Sequence, residues 1–122
     1  MRDQGIGTIA SHVSGDRVWH RLMALAKFGA LPKGGVDRQA LSNEEIQARA
    51  ELVRWGRSMG LEASSDVAAN LFLRYKGVEP NLAPILIGSH IDTQPTGGKF
   101  DGTFGVLAAL ETIEAKCGPF VR

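Results

Sequence analysis

The segment Pro84-Ile-Leu-Ile-Gly-Ser-His90 decides the fold, together with a glycine-rich loop at 92–102 and a helical pattern at 103–116. Three consecutive apolar residues, Ile85 to Ile87, are typical of a strand that is buried on both faces. A strand, a polar loop and a helix in this order predict an α/β fold, in which ligands bind at the carboxyl ends of strands. The helix has its apolar side chains at helical spacing, at Val106, Leu107, Leu110 and Ile113.

Two helices are predicted upstream of this segment. Residues 15–28 form the first, and its apolar stripe is Val18, Leu22, Leu25 and Ala26. Ser42-Asn43-Glu44-Glu45 matches a capping box that begins the second. We expect this helix to end at Gly60 and to bury Ile46, Ala50, Val53 and Gly56.

Between the second helix and Pro84, two stretches rich in strand-forming residues lie at 61–67 and 70–76. The short link between them, Ala68-Ala69, predicts a hairpin or a sharp bend. Trp19, Trp55 and Phe72 fall on helix or strand positions, so we expect them in the core rather than in contact with a substrate.

The composition excludes several classes of protein. The 122 residues are 43% hydrophobic and 22% charged with a net charge of +1, which is ordinary for a globular domain and gives no basic surface for nucleic acid or anionic lipid. No apolar run approaches the ~20 residues of a membrane span, and no secretory signal is visible. We therefore expect a cytoplasmic protein with no nucleic-acid or membrane partner. The single cysteine, Cys117, excludes an intrachain disulfide.

The chemistry of the chain is concentrated in His90, Asp92 and Asp101, which follow the predicted strand. In an extended chain, residues i and i+2 point to the same side, so His90 and Asp92 can face one cavity. A carboxylate behind an imidazole fixes its tautomer and is the usual support of a zinc-bound histidine. The glycine-rich loop can return Asp101 to the strand end, where the next helix begins. This pattern predicts a metal site.

Other acidic and imidazole groups have simpler interpretations. A His-x-Asp pair alone is common, and the surrounding strand, loop and helix give it weight here. Glu44 and Glu45 fit a capping box and the helix dipole better than a catalytic pair. His12 and His20 are expected at the surface, in an N-terminal arm and on a helix.

The site region resembles the hydantoinase/carbamoylase family of dinuclear zinc peptidases, which includes N-carbamoyl-L-amino-acid hydrolases and allantoate amidohydrolases. The resemblance runs from about Arg21 to Lys116, with Ala69 where the family usually has glycine. It rests on Gly88-Ser-His-Ile-Asp-Thr93, Gly97-Gly-Lys-Phe-Asp-Gly102, Gly105-Val-Leu-Ala-Ala-Leu-Glu111, Leu31-Pro-Lys-Gly-Gly-Val-Asp-Arg38 and Asn70-Leu-Phe72.

The resemblance implies a role for each site residue. His90 would ligate one zinc, Asp101 would bridge two zincs, and Asp92, our catalytic assignment, would support His90 from behind. Mn²⁺, Co²⁺ or Ni²⁺ could replace Zn²⁺. Two ligands of one zinc, each bonded at ~2 Å, lie within about 4 Å of each other, so we expect the three side chains to converge. The family also implies a cis peptide between Asp101 and Gly102.

The same resemblance implies a hydrolase of linear amide or ureido C–N bonds, with an N-carbamoyl amino acid or allantoate as substrate and a homodimer as the parent assembly. We expect an arm at 1–14 and, at 15–122, part of a zinc-peptidase catalytic domain: two helices, a strand hairpin, a buried strand and a helix. The family's lid domain, glutamate base and later ligands are absent from this sequence, so the chain alone should be inactive. A non-catalytic remnant and a small metal-binding or interaction module remain alternatives.

Overall fold

A computed structural model describes residues 9–117 and contains five regular elements between residues 15 and 117. The order of helices and strands is α/β, as the sequence predicts. In chain order these are α1 (Gly15–Leu25), α2 (Asn43–Ser58), β1 (Glu62–Ser65), β2 (Leu71–Arg74) and α3 (Thr103–Cys117).

Helix α2 begins at the predicted N-cap, since the Ser42 side chain accepts a hydrogen bond of 3.2 Å from the Glu45 amide. The reciprocal bond of a capping box is not formed, because the Ser42 amide donates to the Gln39 carbonyl instead. The predicted buried stripe is wrong at Ile46, which is 55% exposed, and at Ala50, which is exposed as well; Val53 is half-buried and Gly56 is buried. The helix instead turns Leu52 and Trp55 toward the core, at 3% and 8% exposure. The observed buried residues are Glu45, Ala48, Leu52, Trp55 and Gly56.

Strands β1 and β2 form an antiparallel hairpin in which Glu62 pairs with Arg74 and Ser65 with Leu71. The predicted hairpin is confirmed, with shorter strands than the composition indicates. Asp66 organises the turn, because its carboxylate accepts hydrogen bonds from the Ala68 and Asn70 amides. Ala69 has a φ of 64°, a left-handed conformation that glycine adopts more easily.

The core lies where α1, α2 and α3 meet, and it includes the predicted stripes of α1 and α3. Leu25 and Leu107 are fully buried. Glu111 of α3 joins this core to α1, because its carboxylate accepts hydrogen bonds of 2.8 Å from Arg17 Nε and 2.7 Å from the Ser14 amide. The cluster comprises Leu22, Leu25, Ala48, Leu52, Trp55, Leu61, Leu107 and Leu110.

The buried strand predicted at Pro84–His90 is not observed. These residues belong to no helix or strand, and Ile85, Leu86 and Ile87 are 92%, 78% and 50% exposed. A strand requires hydrogen-bonding neighbours, and the sheet of residues 9–117 consists of β1 and β2 alone. The apolar run is therefore present without anything that covers it in the described part of the chain.

Three smaller expectations can be compared with the structure. Trp19 is 54% exposed rather than buried. Residues 1–8 of the predicted arm lie outside the described residues, and residues 9 and 10 are helical. No helix within residues 9–117 has the length and apolar character that crossing a membrane requires.

Candidate metal centre

Hydrogen bonds to an earlier loop hold the backbone of the candidate site. The Thr93 amide donates to the Arg38 carbonyl at 2.7 Å, and the Arg38 amide donates to Thr93 Oγ1 at 2.8 Å. Thr93 Oγ1 in turn donates to the Val36 carbonyl at 3.1 Å. Because Thr93 is buried, these bonds are shielded from water. The chain at 91–93 is thus fixed although it belongs to no sheet.

The glycine-rich loop is attached at two further points. Val36 and Gly97 exchange two backbone hydrogen bonds, of 2.9 and 2.8 Å. Phe100 stacks on Trp19 of α1, with 6.0 Å between ring centroids and 29° between the ring planes. The loop therefore returns to the body of the molecule just before Asp101.

His90 and Asp92 form the predicted pair. His90 Nδ1 lies 3.1 Å from Asp92 Oδ1 and 3.1 Å from the Asp92 carbonyl oxygen. A carbonyl oxygen and an ionised carboxylate can only accept, so Nδ1 is the donor; in the neutral imidazole the free lone pair is then on Nε2. Within residues 9–117, Nε2 has no hydrogen-bond partner. The side chains of His90 and Asp92 are 51% and 44% exposed, so a ligand can reach them.

Asp101 lies at the corner where the loop meets α3. The next residue, Gly102, has a φ of 70°, and a Cβ there would lie 2.5 Å from His90 Cε1 and 2.6 Å from Nδ1. Only glycine fits this close approach, which puts the 101–102 backbone against the imidazole. The Asp101 carboxylate is exposed and forms no hydrogen bond or ion pair with the described residues. His90 Nε2 and the Asp101 carboxylate are thus both without a partner among the described residues.

Two geometric expectations are not met. Residues 9–117 contain no cis peptide bond, so Asp101–Gly102 is trans, the form favoured by ~3 kcal/mol for a non-proline bond. Over the same residues, no three His, Cys, Asp or Glu side chains are grouped to hold a metal ion. Asp92 lies on the Nδ1 side of the imidazole, so the donors without a partner among the described residues are His90 Nε2 and the Asp101 carboxylate. This set fits the donor chemistry of zinc, which takes imidazole nitrogen and carboxylate oxygen.

Two of the other groups that the sequence raised as candidates, Glu45 and His20, have structural partners. Glu45 is buried and pairs with Arg49 at 3.2 Å, in agreement with a structural role. His20 is exposed on α1, and its Nδ1 lies 2.7 Å from the Asp16 carbonyl. Sequence reasoning assigned no role to Arg38, which is 1% exposed and contacts the site segment. An arginine after a glycine loop gives no periodic signal, so its burial could not be found from spacing.

Comparison with known proteins gives consistent relatives. The chain is 44% identical over 101 residues to an N-carbamoyl-L-amino-acid amidohydrolase from Rhizobium meliloti, covering 83% of this chain and 24% of that protein. It is 42% identical over 90 residues to an allantoate amidohydrolase from Bacillus subtilis, covering 74% and 22%. The crystal structure of a hydantoinase/carbamoylase family amidase from Burkholderia ambifaria superposes with a TM-score of 0.83 at 46% identity, covering 84% and 25%.

The chain is similar to the N-terminal part of hydantoinase/carbamoylase family amidases. It spans about a quarter of the length of the relatives it matches. No protein-family profile matches the sequence. The similarity confirms the predicted resemblance and the α/β fold.

Proposed function

We propose that this chain is the first metal-binding segment of a zinc-dependent amidohydrolase that cleaves a linear amide or ureido C–N bond. The observation that supports this most directly is the 3.1 Å contact between His90 Nδ1 and Asp92 Oδ1, because it leaves Nε2 as the only nitrogen that can bind a metal. The free carboxylate of Asp101, the residue before the Gly102 backbone that packs against the imidazole, provides a second donor.

His90 and Asp101 would hold the metal, and Asp92 would keep the His90 ring oriented and its Nε2 basic. When bound, zinc supplies a Lewis acid that polarises a carbonyl and lowers the pKa of water. A catalytic zinc has three protein ligands and an open position, so two donors are insufficient. The general base and the remaining ligands would come from polypeptide outside this sequence.

The substrate we propose is an N-carbamoyl amino acid or allantoate. Relatives with both names match overlapping parts of this chain at 44% and 42% identity, so this segment does not distinguish the two. Both are small anionic molecules with a ureido group. The shared segment therefore provides metal chemistry that is common to the two reactions.

Zinc titration of the purified chain tests the proposal. We expect wild type to bind zinc and His90→Ala or Asp101→Asn to bind it at least about tenfold more weakly, since even loss of an outer partner costs 10–100-fold. His20→Ala is the matched control, because His20 is exposed on α1 and far in sequence from the site. Equal weakening in the control, or none in His90→Ala, would contradict the proposal.

Activity assays provide the second part of the test. Zinc-loaded chain should hydrolyse neither N-carbamoyl amino acids nor allantoate at a useful rate, because its ligand set is partial and it lacks the base. Turnover near the typical enzyme value of roughly 10 per second would show that the chain is a complete catalyst.

A second candidate function is complementation of another polypeptide that carries the rest of the domain. The exposure of Ile85, Leu86 and Ile87 favours it, since these side chains lack a covering strand within residues 9–117. Co-expression with a Burkholderia ambifaria amidase that lacks its matching quarter tests it. Recovery of a complex with ureido hydrolase activity is the expected result, and separate inactive chains would exclude it.

A further inference from the structure

Arg38 is the most completely buried charged residue of the described chain, with 1% of its surface exposed. Its guanidinium donates to three backbone carbonyls: Nε to Ile91 at 2.8 Å, and Nη1 to Leu25 at 2.7 Å and to Phe28 at 2.8 Å. No carboxylate within residues 9–117 lies at ion-pair distance from it. Burying a charge without a partner is costly, so this arrangement requires an explanation.

Two of the three contacts are structural. Leu25 is the last residue of α1 and Phe28 lies in the turn that follows it, and Nη1 donates to the carbonyls of both. The third contact serves a different segment, because the Ile91 carbonyl lies between His90 and Asp92. Residue 38 also bonds Thr93 through its own backbone. Asp92 is therefore held on both sides by one residue of the preceding loop.

The positive charge of Arg38, like its hydrogen bonds, holds the segment that carries Asp92. Burial lowers the pKa of Arg38, and the negative charges of Glu45 and Asp92 partly oppose this change. A guanidinium stays protonated throughout the physiological range, so Asp92 experiences a fixed positive charge. This attraction adds to the hydrogen bonds by which Arg38 holds the chain on both sides of Asp92.

We propose that Arg38 is a positioning residue of the metal segment: by holding the Ile91 carbonyl and attracting Asp92, it keeps the Nδ1–H tautomer of His90 and directs Nε2 outward. The use of Nε2 for metal rests on the proposed function above, whereas the tautomer does not. A purely structural Arg38 would contribute to stability and leave the tautomer of His90 unchanged.

Nitrogen NMR of the metal-free chain, at a pH where imidazole is neutral, measures this tautomer directly. We expect wild type to show the Nδ1–H form and Arg38→Met to shift toward the Nε2–H form that free imidazole prefers. Arg21→Met is the matched control, because Arg21 is a largely buried arginine that pairs with Glu114 and lies over Trp55. An unchanged tautomer in Arg38→Met, or an equal shift in Arg21→Met, would overturn the proposal.

Arg38→Lys separates charge from hydrogen bonding. Lysine keeps the positive charge but cannot reproduce the planar fork of donors, so we expect more Nδ1–H than in Arg38→Met and less than in wild type. Equal tautomer ratios in the two variants would exclude the electrostatic part.

Wild type alone provides a measurement that does not depend on a variant folding. The Arg38 Nε–H should exchange with water far more slowly than that of Arg54, whose side chain is 65% exposed. Equally fast exchange would mean that the Ile91 contact does not hold, which would overturn the proposal.

Zinc titration then distinguishes failure of this inference from failure of the proposed function. If wild type binds zinc, Arg38→Met should bind it about 10–100-fold more weakly, with Arg21→Met unchanged; equal affinity in Arg38→Met would overturn the positioning role. If wild type binds no zinc, the metal function fails while the tautomer comparison still decides the role of Arg38.

Discussion

Two apolar regions of this chain are similar in sequence and opposite in environment. Helix α3 buries Leu107 and Leu110 against α1 and α2, at 0% and 4% exposure. The run Ile85-Leu86-Ile87 leaves the same kind of side chain 50–92% exposed. Burial of a leucine or isoleucine contributes about 1.5–3 kcal/mol, so the first region stabilises the fold and the second does not.

The difference lies in where each region finds its partners. The helix satisfies its own backbone hydrogen bonds and needs only a face to pack on, which α1 and α2 supply from earlier in the same chain. A strand needs neighbours for its backbone as well as for its side chains. The chain spans a quarter of its relatives, and the neighbours that would cover 85–87 are not among the described residues.

The largest expected effect is therefore on association of the chain. An unpaired apolar segment is a template for pairing with another chain, so light scattering should show wild type as dimers or larger species. Ile85→Lys should shift the chain toward monomer. Val67→Lys is the control, because Val67 is fully exposed but lies in the hairpin turn. A wild type that stays monomeric at high concentration would mean that the segment is covered by residues outside the described range.

The two regions should also differ in how much their side chains contribute to the free energy of unfolding. Leu107→Ala removes a fully buried side chain and should lower the free energy of unfolding by about 2–5 kcal/mol. Leu86→Ala, at 78% exposure, should change it by no more than about 0.5 kcal/mol. Urea denaturation of both variants measures the contrast, and similar losses would show that Leu86 is buried in solution.

Acid should destabilise the packed region formed by α1, α2 and α3, and it should do so through Glu111. Burial raises the pKa of Glu111, but hydrogen bonds from Arg17 and Ser14 outweigh it and leave the pKa below the ordinary value of 4.5. Because the folded-state pKa is depressed, this stabilisation is present above that value and is lost as the pH falls through the folded-state pKa.

Glu111→Gln should accordingly cost about 1–3 kcal/mol at pH 7 and make unfolding less sensitive to pH below about 4.5. Denaturation curves between neutral and acidic pH measure both effects. Glu51→Gln is the control, since its pair with the 65% exposed Arg54 should contribute at most about 1 kcal/mol. If wild type and Glu111→Gln are equally sensitive to acid, the acid sensitivity of unfolding comes from another group.

What could be predicted from the sequence follows the same division. Local signals gave the right result, because capping by Ser42, the stripes of α1 and α3, and the hairpin depend on residues close in the chain. The burial of Ile85–Ile87 was wrong because it depends on strands that the described residues do not supply. The stripe of α2 was wrong because spacing alone does not choose between two apolar faces.

The candidate site shows both outcomes within a few residues. The contact between His90 and Asp92 follows from their spacing in an extended chain, and the structure contains it at 3.1 Å. Arg38 could not be identified, because its contact with Ile91 joins residues 53 apart in sequence. Fixed hydrogen bonds from a distant loop, rather than a sheet, hold this segment in place.

The smallest expected effect concerns the hairpin turn that joins β1 and β2. Ala69 has a φ of 64°, and a residue with a Cβ is disfavoured there by about 1–2 kcal/mol relative to glycine. The more flexible unfolded state of glycine cancels about 0.4–1 kcal/mol of that gain. Ala69→Gly should therefore stabilise the chain by roughly 0.5–1 kcal/mol. Ala68→Gly is the matched control: its φ is not positive, so the same change should destabilise by a similar amount. Thermal denaturation of the two variants measures the difference in sign. If Ala69→Gly does not stabilise the chain, Ala69 does not adopt the left-handed conformation in solution and Asp66 organises a different turn. Stabilisation by both variants would mean that the gain at position 69 does not come from its positive φ.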